Sequence, residues 1–255
     1  MNRRLDPLRL TALAIVMGLA GLALAQEQEE ALPPAREILD RFVEAIGGED
    51  VVRKPKSFEM TGEFSMPASG ISGSLGIYSM APNMQLVSLE IPGIGKVREG
   101  FDGEVAWSVD PVMGPRIKDG SELAQTKFQA DFYAVLHADS RFKSMETLAK
   151  TPFGDSTCFK LRLVTTDDEE IIEYFDVDTG LLRGMERTIE SPMGPIQTTQ
   201  TTGEYREFAG QKMATRVVVS VGPTEQVLKI DEIKVDTVER SIFEPPAEIR
   251  ALVEQ

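Results

Sequence analysis

Residues 56–238 alternate apolar and polar side chains with period two, and that alternation is broken once, by a helical signal at residues 121–137. Successive side chains of an extended strand point to opposite faces. Thus Phe58, Met60, Phe64 and Met66 share one face, with Gly62 in register, while Glu59, Thr61 and Glu63 take the other. The pattern predicts further strands at 71–80, 84–91, 95–101 and 105–109. After the helical signal it resumes at 145–153, 157–165, 170–177, 181–190, 196–208, 213–221 and 225–238. Short turns separate them: Ala81-Pro82-Asn83, Pro92-Gly93, Asp102-Gly103, Asp178-Thr179-Gly180, Ala209-Gly210 and Gly222-Pro223. Connections this short join antiparallel neighbours, because parallel strands need crossovers of about a dozen residues. A meander of about a dozen strands twists, and it has to curl or split to bury one face.

Within 121–137, Ala124, Phe128, Phe132, Val135 and Leu136 recur at spacings of three and four, the apolar stripe of one helix or of two short ones. Burying a large apolar side chain is worth roughly 1.5–3 kcal/mol, so leaving the two Phe, the Val and the Leu in water would forgo on the order of 6–12 kcal/mol. The insert must therefore lie across the sheet. A closed barrel leaves it no place. The expected fold is α+β: a strongly curved, unclosed half-barrel meander of about 11–12 antiparallel strands, covered by helices on its concave side. A second helical stripe, Ile38, Phe42, Val43 and Ile46, ends at Gly47-Gly48 and is expected to pack against the outside or end of the sheet.

The first residues carry a targeting pattern. Arg3, Arg4 and Arg9 precede an uncharged apolar run of about 15 residues, short of the roughly 20 that span a bilayer, and Ala23-Leu24-Ala25 has the small residues of a signal-peptidase site. The expected organisation is a signal peptide at 1–25, a flexible leader at 26–32 and one domain at 33–255 with a helical lid around 120–138. Cleavage near Ala25 places the mature chain in the periplasm or outside the cell. It takes 255 residues to 230 and, by removing three Arg and one Asp, net charge from −14 to −16. No later stretch is apolar enough to span a membrane. An acidic balance of this size argues against nucleic acid, which needs clustered Lys and Arg. The mature chain is expected to be a monomer.

Residue types leave little room for catalysis. One His and one Cys cannot build an imidazole or thiolate metal site. Cys158 has no partner for a disulfide and reads as a structural thiol. Asp167-Asp168-Glu169-Glu170 lacks the glycine and ligand spacing of a calcium loop and reads as a solvated turn. There is no nucleophile elbow, phosphate loop or dinucleotide fingerprint. The expectation is no enzyme, no catalytic residue, no metal and no cofactor.

The order of motifs is informative as a set: an N-terminal helix, strands, FDGEVAWSVDP at 101–111, the helical insert, strands containing YFDVDTGLLRG at 174–184, then IFEPP at 242–246. This arrangement resembles the LolA-like superfamily of lipoprotein and lipid carriers, often described as outer membrane lipoprotein-sorting proteins. The resemblance covers most of the mature chain and implies an unclosed barrel with helices over its mouth, enclosing an apolar cavity for acyl chains. On that implication the cavity would be lined by Phe58, Met60, Phe64, Val87, Leu89, Val105 and Trp107 beneath Phe128 and Phe132. Nine of the eleven methionines lie beyond residue 25, and flexible, polarizable Met suits a surface that accepts variable apolar shapes. The partners implied are the acyl chains of lipids or lipoproteins. The alternative is a filled core and an accessory module that binds envelope proteins.

Overall fold

The computed structural model describes residues 31–191 and 194–253. The expected signal peptide lies outside the described residues. Two helices come first, α1 (Ala35–Ala45) and α2 (Glu49–Val52). Six strands follow: β1 (Ser57–Met66), β2 (Ile71–Met80), β3 (Met84–Ile91), β4 (Gly95–Phe101), β5 (Ala106–Asp110) and β6 (Gly114–Ile117). The insert consists of α3 (Gly120–Ala130), a 3-10 turn (Ala134–Leu136) and α4 (Ala138–Arg141). Seven more strands are β7 (Phe142–Phe153), β8 (Ser156–Thr165), β9 (Glu170–Asp176), β10 (Leu182–Ile189), β11 (Ile196–Phe208), β12 (Gln211–Val221) and β13 (Thr224–Val235), before a final helix α5 (Ala247–Val253).

All thirteen strands form one unclosed sheet in the order β6-β5-β4-β3-β2-β1-β13-β12-β11-β10-β9-β8-β7. Every pairing is antiparallel. The first meander runs outward from β1 to one edge, and the second runs inward from the opposite edge to β13, which pairs with β1. This order explains the insert's length. It must carry the chain from edge strand β6 to edge strand β7, across the full width of the half-barrel.

β6 is the strand that periodicity does not announce, since residues 111–115 read as the close of the meander. Here the Asp110 carboxylate accepts the backbone N–H groups of Val112 and Met113 at 2.7 and 3.0 Å, and Gly114 takes φ +79°. That turn returns the chain for four residues. Pro115, which lacks an N–H, is tolerated because β6 is an edge.

Register assigns the faces. Phe58 pairs with Ser79, Ser79 with Gln85, Gln85 with Phe101 and Phe101 with Ala106, so these five share a face. Their neighbours Tyr78, Leu86, Gly100 and Trp107 share the other. The helices of the insert lie on the Phe58 face, where Ala130 and Leu123 of α3 pack on Phe101 and Ala106. Helix α1 lies on this concave face too, not on the outside or end of the sheet: Ala35, Ile38 and Leu39 join Ala138 of α4 over Leu161, Leu163, Ile171 and Phe175. The stripe of α1 needs an apolar partner, and the apolar residues of β8 and β9 face inward. The C-terminal segment covers the opposite face, where Phe243 and Ile249 of α5's neighbourhood pack on Met84, Leu86 and Trp107. Trp107 lies flat across Gly100; a Cβ there would come within 2.4 Å of the indole ring.

Candidate functional site

On the concave face the apolar residues of β1, β2, β3 and β13 are only partly covered. Phe64, Leu75 and Ile230 are buried, while Met60, Ile77, Val87, Leu89, Leu228 and Ile233 around them remain half-buried. Fully covering such side chains would gain more, roughly 25 cal/mol for each Å² of apolar surface removed from water. The insert covers one end of this surface and leaves a pocket of about 270 Å³. Its floor is Phe58, Met60, Ile77 and Met213; its roof is Ala130, Phe132, Ala134 and Val135; Val52 closes one side, and Ser79, Gln85, Gln129 and Gln211 supply polar atoms. Among the described residues the buried Gln211 side-chain oxygen has no hydrogen-bond partner.

The roof is pinned by polar contacts. Gln125, the most buried polar side chain of α3, donates to Glu169 at 2.9 Å and to the Thr188 carbonyl at 3.0 Å, and accepts the Glu190 N–H at 2.9 Å. Arg116 of β6 holds Glu122 through two parallel hydrogen bonds of 2.6 and 2.9 Å. Helix α3 ends at Asp131, whose carboxylate accepts Tyr133 N–H and Arg141 and lies 2.9 Å from His137 Nδ1. Beyond that break, Phe132 N–H donates to Pro82 O at 2.9 Å, and the Tyr133 hydroxyl donates to Pro55 O at 3.0 Å.

The break separates the two aromatic residues of the insert. Phe132 stacks on Phe58, with centroids 5.4 Å apart and planes 16° from parallel, and it roofs the pocket. Phe128 turns the other way, to Phe142 and the α1 cluster, with the Arg141 guanidinium 3.7 Å above its ring. Among the residues singled out by periodicity, Phe58, Met60 and Phe132 therefore meet at the pocket. Phe64, Val87 and Leu89 lie farther along the same face. Val105 and Trp107 stand across the sheet, in the cluster under α5. Ile77 and Met213 are pocket residues that periodicity alone did not select; their signal is parity with Met60 through the ladder for Ile77, and only tertiary closure for Met213.

The concave face also holds charge. Glu173 alternates with Ile171 and Phe175, and pairs with Leu161 on one side and Met185 on the other, so its carboxyl points inward. Burial pushes that carboxyl up to about 7, against the pull of Arg141 and Arg187. Arg187 occupies the same face between Ile171 and Thr198, and burial lowers its affinity for its proton. The signal for both was visible in the sequence: a charged residue within a run of inward-facing apolar ones. Cys158 is fully buried, and burial followed by the nearby Asp176 raises its thiol to about 11, which makes it inert. Among the described residues no cluster of His, Cys, Asp and Glu could hold a metal ion, and no helix is long and apolar enough to cross a membrane.

No family model matches the chain, and no curated protein matches it. Solved structures do. A LolA superfamily protein from Nitrosomonas europaea is 15% identical with a TM-score of 0.56, the match covering 84% of this chain and 99% of that one. A DUF1329 family protein from Desulfovibrio piger is 12% identical with a TM-score of 0.58, covering 84% and 98%. Identities this low speak to architecture alone, and with the thirteen-stranded unclosed sheet and its helical cover they give one result: the chain has a LolA-like fold.

Proposed function

We propose that this protein is a noncatalytic carrier that holds an acyl chain of a lipid or lipoprotein between the curved sheet and the helical lid. It would do so in the periplasm or outside the cell, after cleavage near Ala25. The observation that carries the reading is the pocket beneath the insert, with Phe58, Met60 and Ile77 below and Phe132, Ala134 and Val135 above. At about 270 Å³ it lies just under the roughly 300–1,000 Å³ of small-molecule sites, and the half-buried Val87, Leu89 and Leu228 extend it along the sheet. Lid movement would change how much of this apolar surface stays dry, and so couple opening to release. Native mass spectrometry of protein purified without detergent, followed by lipid extraction, is expected to show a bound acyl species or uptake of added fatty acid. A protein that carries none and takes up none contradicts the proposal.

A second reading, an accessory module that binds an envelope protein, draws on the β5–β6 hairpin tip at a sheet edge, where Val112 is 85% exposed and Met113 56%. Crosslinking to one stoichiometric protein, without extractable lipid, would favour it.

A further inference from the structure

The carrier reading accounts for the apolar walls of the pocket beneath the insert but not for its polar groups. Ser79, Gln85, Gln129 and Gln211 bring a hydroxyl and amides to the lining, and no Lys or Arg joins them. The charged residue of the lining is Asp131, a carboxylate. Nearby cations are engaged elsewhere. Arg141 donates to the Phe128 carbonyl at 2.8 Å and to Asp131 at 3.1 Å. Lys118, which shares a smaller cavity with Gln85 and Gln129, holds Glu99 at 2.6 Å. Arg206, paired with Met213 across the ladder, donates to the Thr215 hydroxyl at 3.2 Å and to the Ile230 carbonyl. An anionic head placed in this pocket would lose its water without gaining a cation, which is costly. An uncharged polar head loses far less. Gln211 adds a demand of its own. Among the described residues its buried side-chain oxygen lacks a donor, while its backbone is held in place, because the next residue, Lys212, donates its N–H to the Ile46 carbonyl at 2.9 Å. A hydroxyl can donate to that oxygen; an ionised carboxylate or an ether cannot.

We propose that the pocket selects an uncharged, hydroxyl-bearing single-chain amphiphile, a long-chain alcohol or a monoacylglycerol. Its tail lies between Phe58, Met60 and Phe132, and its hydroxyl donates to the Gln211 carbonyl oxygen as that side chain turns into the pocket. The inference rests on the carrier reading and specifies its ligand class. One chain fits because the pocket holds only about 270 Å³. The alcohol and the glycerol ester share the recognised group. A fatty acid enters by its tail alone and binds more weakly, because its carboxylate has no hydrogen to give Gln211 and shares the pocket with Asp131.

Calorimetric titration of the mature chain near neutral pH with decanol, monodecanoylglycerol, decyl methyl ether and decanoate separates the two claims. The wild type is expected to bind at least one of the hydroxyl compounds about tenfold more tightly than the ether and decanoate, the factor that a hydrogen bond to a buried acceptor confers. Whichever hydroxyl compound binds more tightly identifies the head group, and either result supports the assignment. Gln211→Met keeps an unbranched side chain and removes the acceptor. It is expected to lose the preference over the ether and to melt no lower than the wild type, since an unmet acceptor is gone. The comparison of ligands on the wild type stands without the variant. The ether or decanoate binding as tightly as both hydroxyl compounds in the wild type, or a preference over the ether that survives in Gln211→Met, overturns the assignment and leaves the carrier reading standing. Binding of none of these compounds overturns both.

Discussion

Glu173 shows how one side chain links the interior of this fold to solution conditions. Its charged form is disfavoured in the folded state, where the carboxyl titrates at about 7 instead of the ordinary 4.5. Between those values the folded protein retains a proton that the unfolded chain has released. Stability from this group is therefore fully present below about 4.5, falls as pH rises to about 7, and levels off above it. At about 1.4 kcal/mol for each pH unit the loss is on the order of 3 kcal/mol. Glu173→Gln keeps the shape and removes the titration. Urea denaturation at a series of pH values is expected to show Glu173→Gln more stable than the wild type at pH 8 and close to it at pH 4.5. A constant difference across the range would show that the carboxyl ionises freely in the folded state.

At the scale of elements, the insert is held by its apolar contacts and is also fixed in place by polar pins. Gln125 alone joins α3 to the β8–β9 turn and to the end of β10 through three hydrogen bonds. Gln125→Ala leaves those partners unsatisfied, at a cost of roughly 1–3 kcal/mol. If the insert opens as a unit, that cost appears as local opening. Hydrogen exchange measured by mass spectrometry should then speed up by about tenfold or more across residues 120–136, with little change in β11–β13. Equal acceleration everywhere would mean that the insert unfolds only with the whole sheet and is no lid.

This is also the scale at which sequence legibility stops. Strands such as β2, β3, β4 and β11 follow from alternation and turn residues because each is a local pattern. Which face of β5 matches which face of β1 depends on pairing parity, and the Phe101–Ala106 pair puts Trp107 with Gly100 on the far side. The Phe128 and Phe132 spacing fits one helical stripe, yet Asp131 ends α3 between them, and its carboxylate is satisfied by Tyr133 and Arg141, one of them ten residues away. Residue spacing within the insert does not show which side chains that carboxylate will bind, and the strand pairing that sets the faces joins residues far apart in sequence.

For the whole molecule, the topology ties the insert to both sheet edges. The chain enters the insert from β6 and leaves it into β7, so the insert can move only as the edges spread or as its own ends hinge. Under the proposed carrier reading, cargo would sit beneath the insert, against the centre of the sheet where β1 pairs with β13 and β13 with β12. The methionines report on that location directly: Met60 and Met213 line the pocket, whereas Met113 is exposed at a hairpin tip and Met145 packs under α1. With 13C-methyl-labelled methionine, a titration with decanoate followed by NMR is expected to shift the Met60 and Met213 signals together and saturably, with Met113 and Met145 unmoved. Unmoved Met60 and Met213 signals, or shifts confined to Met113, would contradict a ligand site beneath the insert.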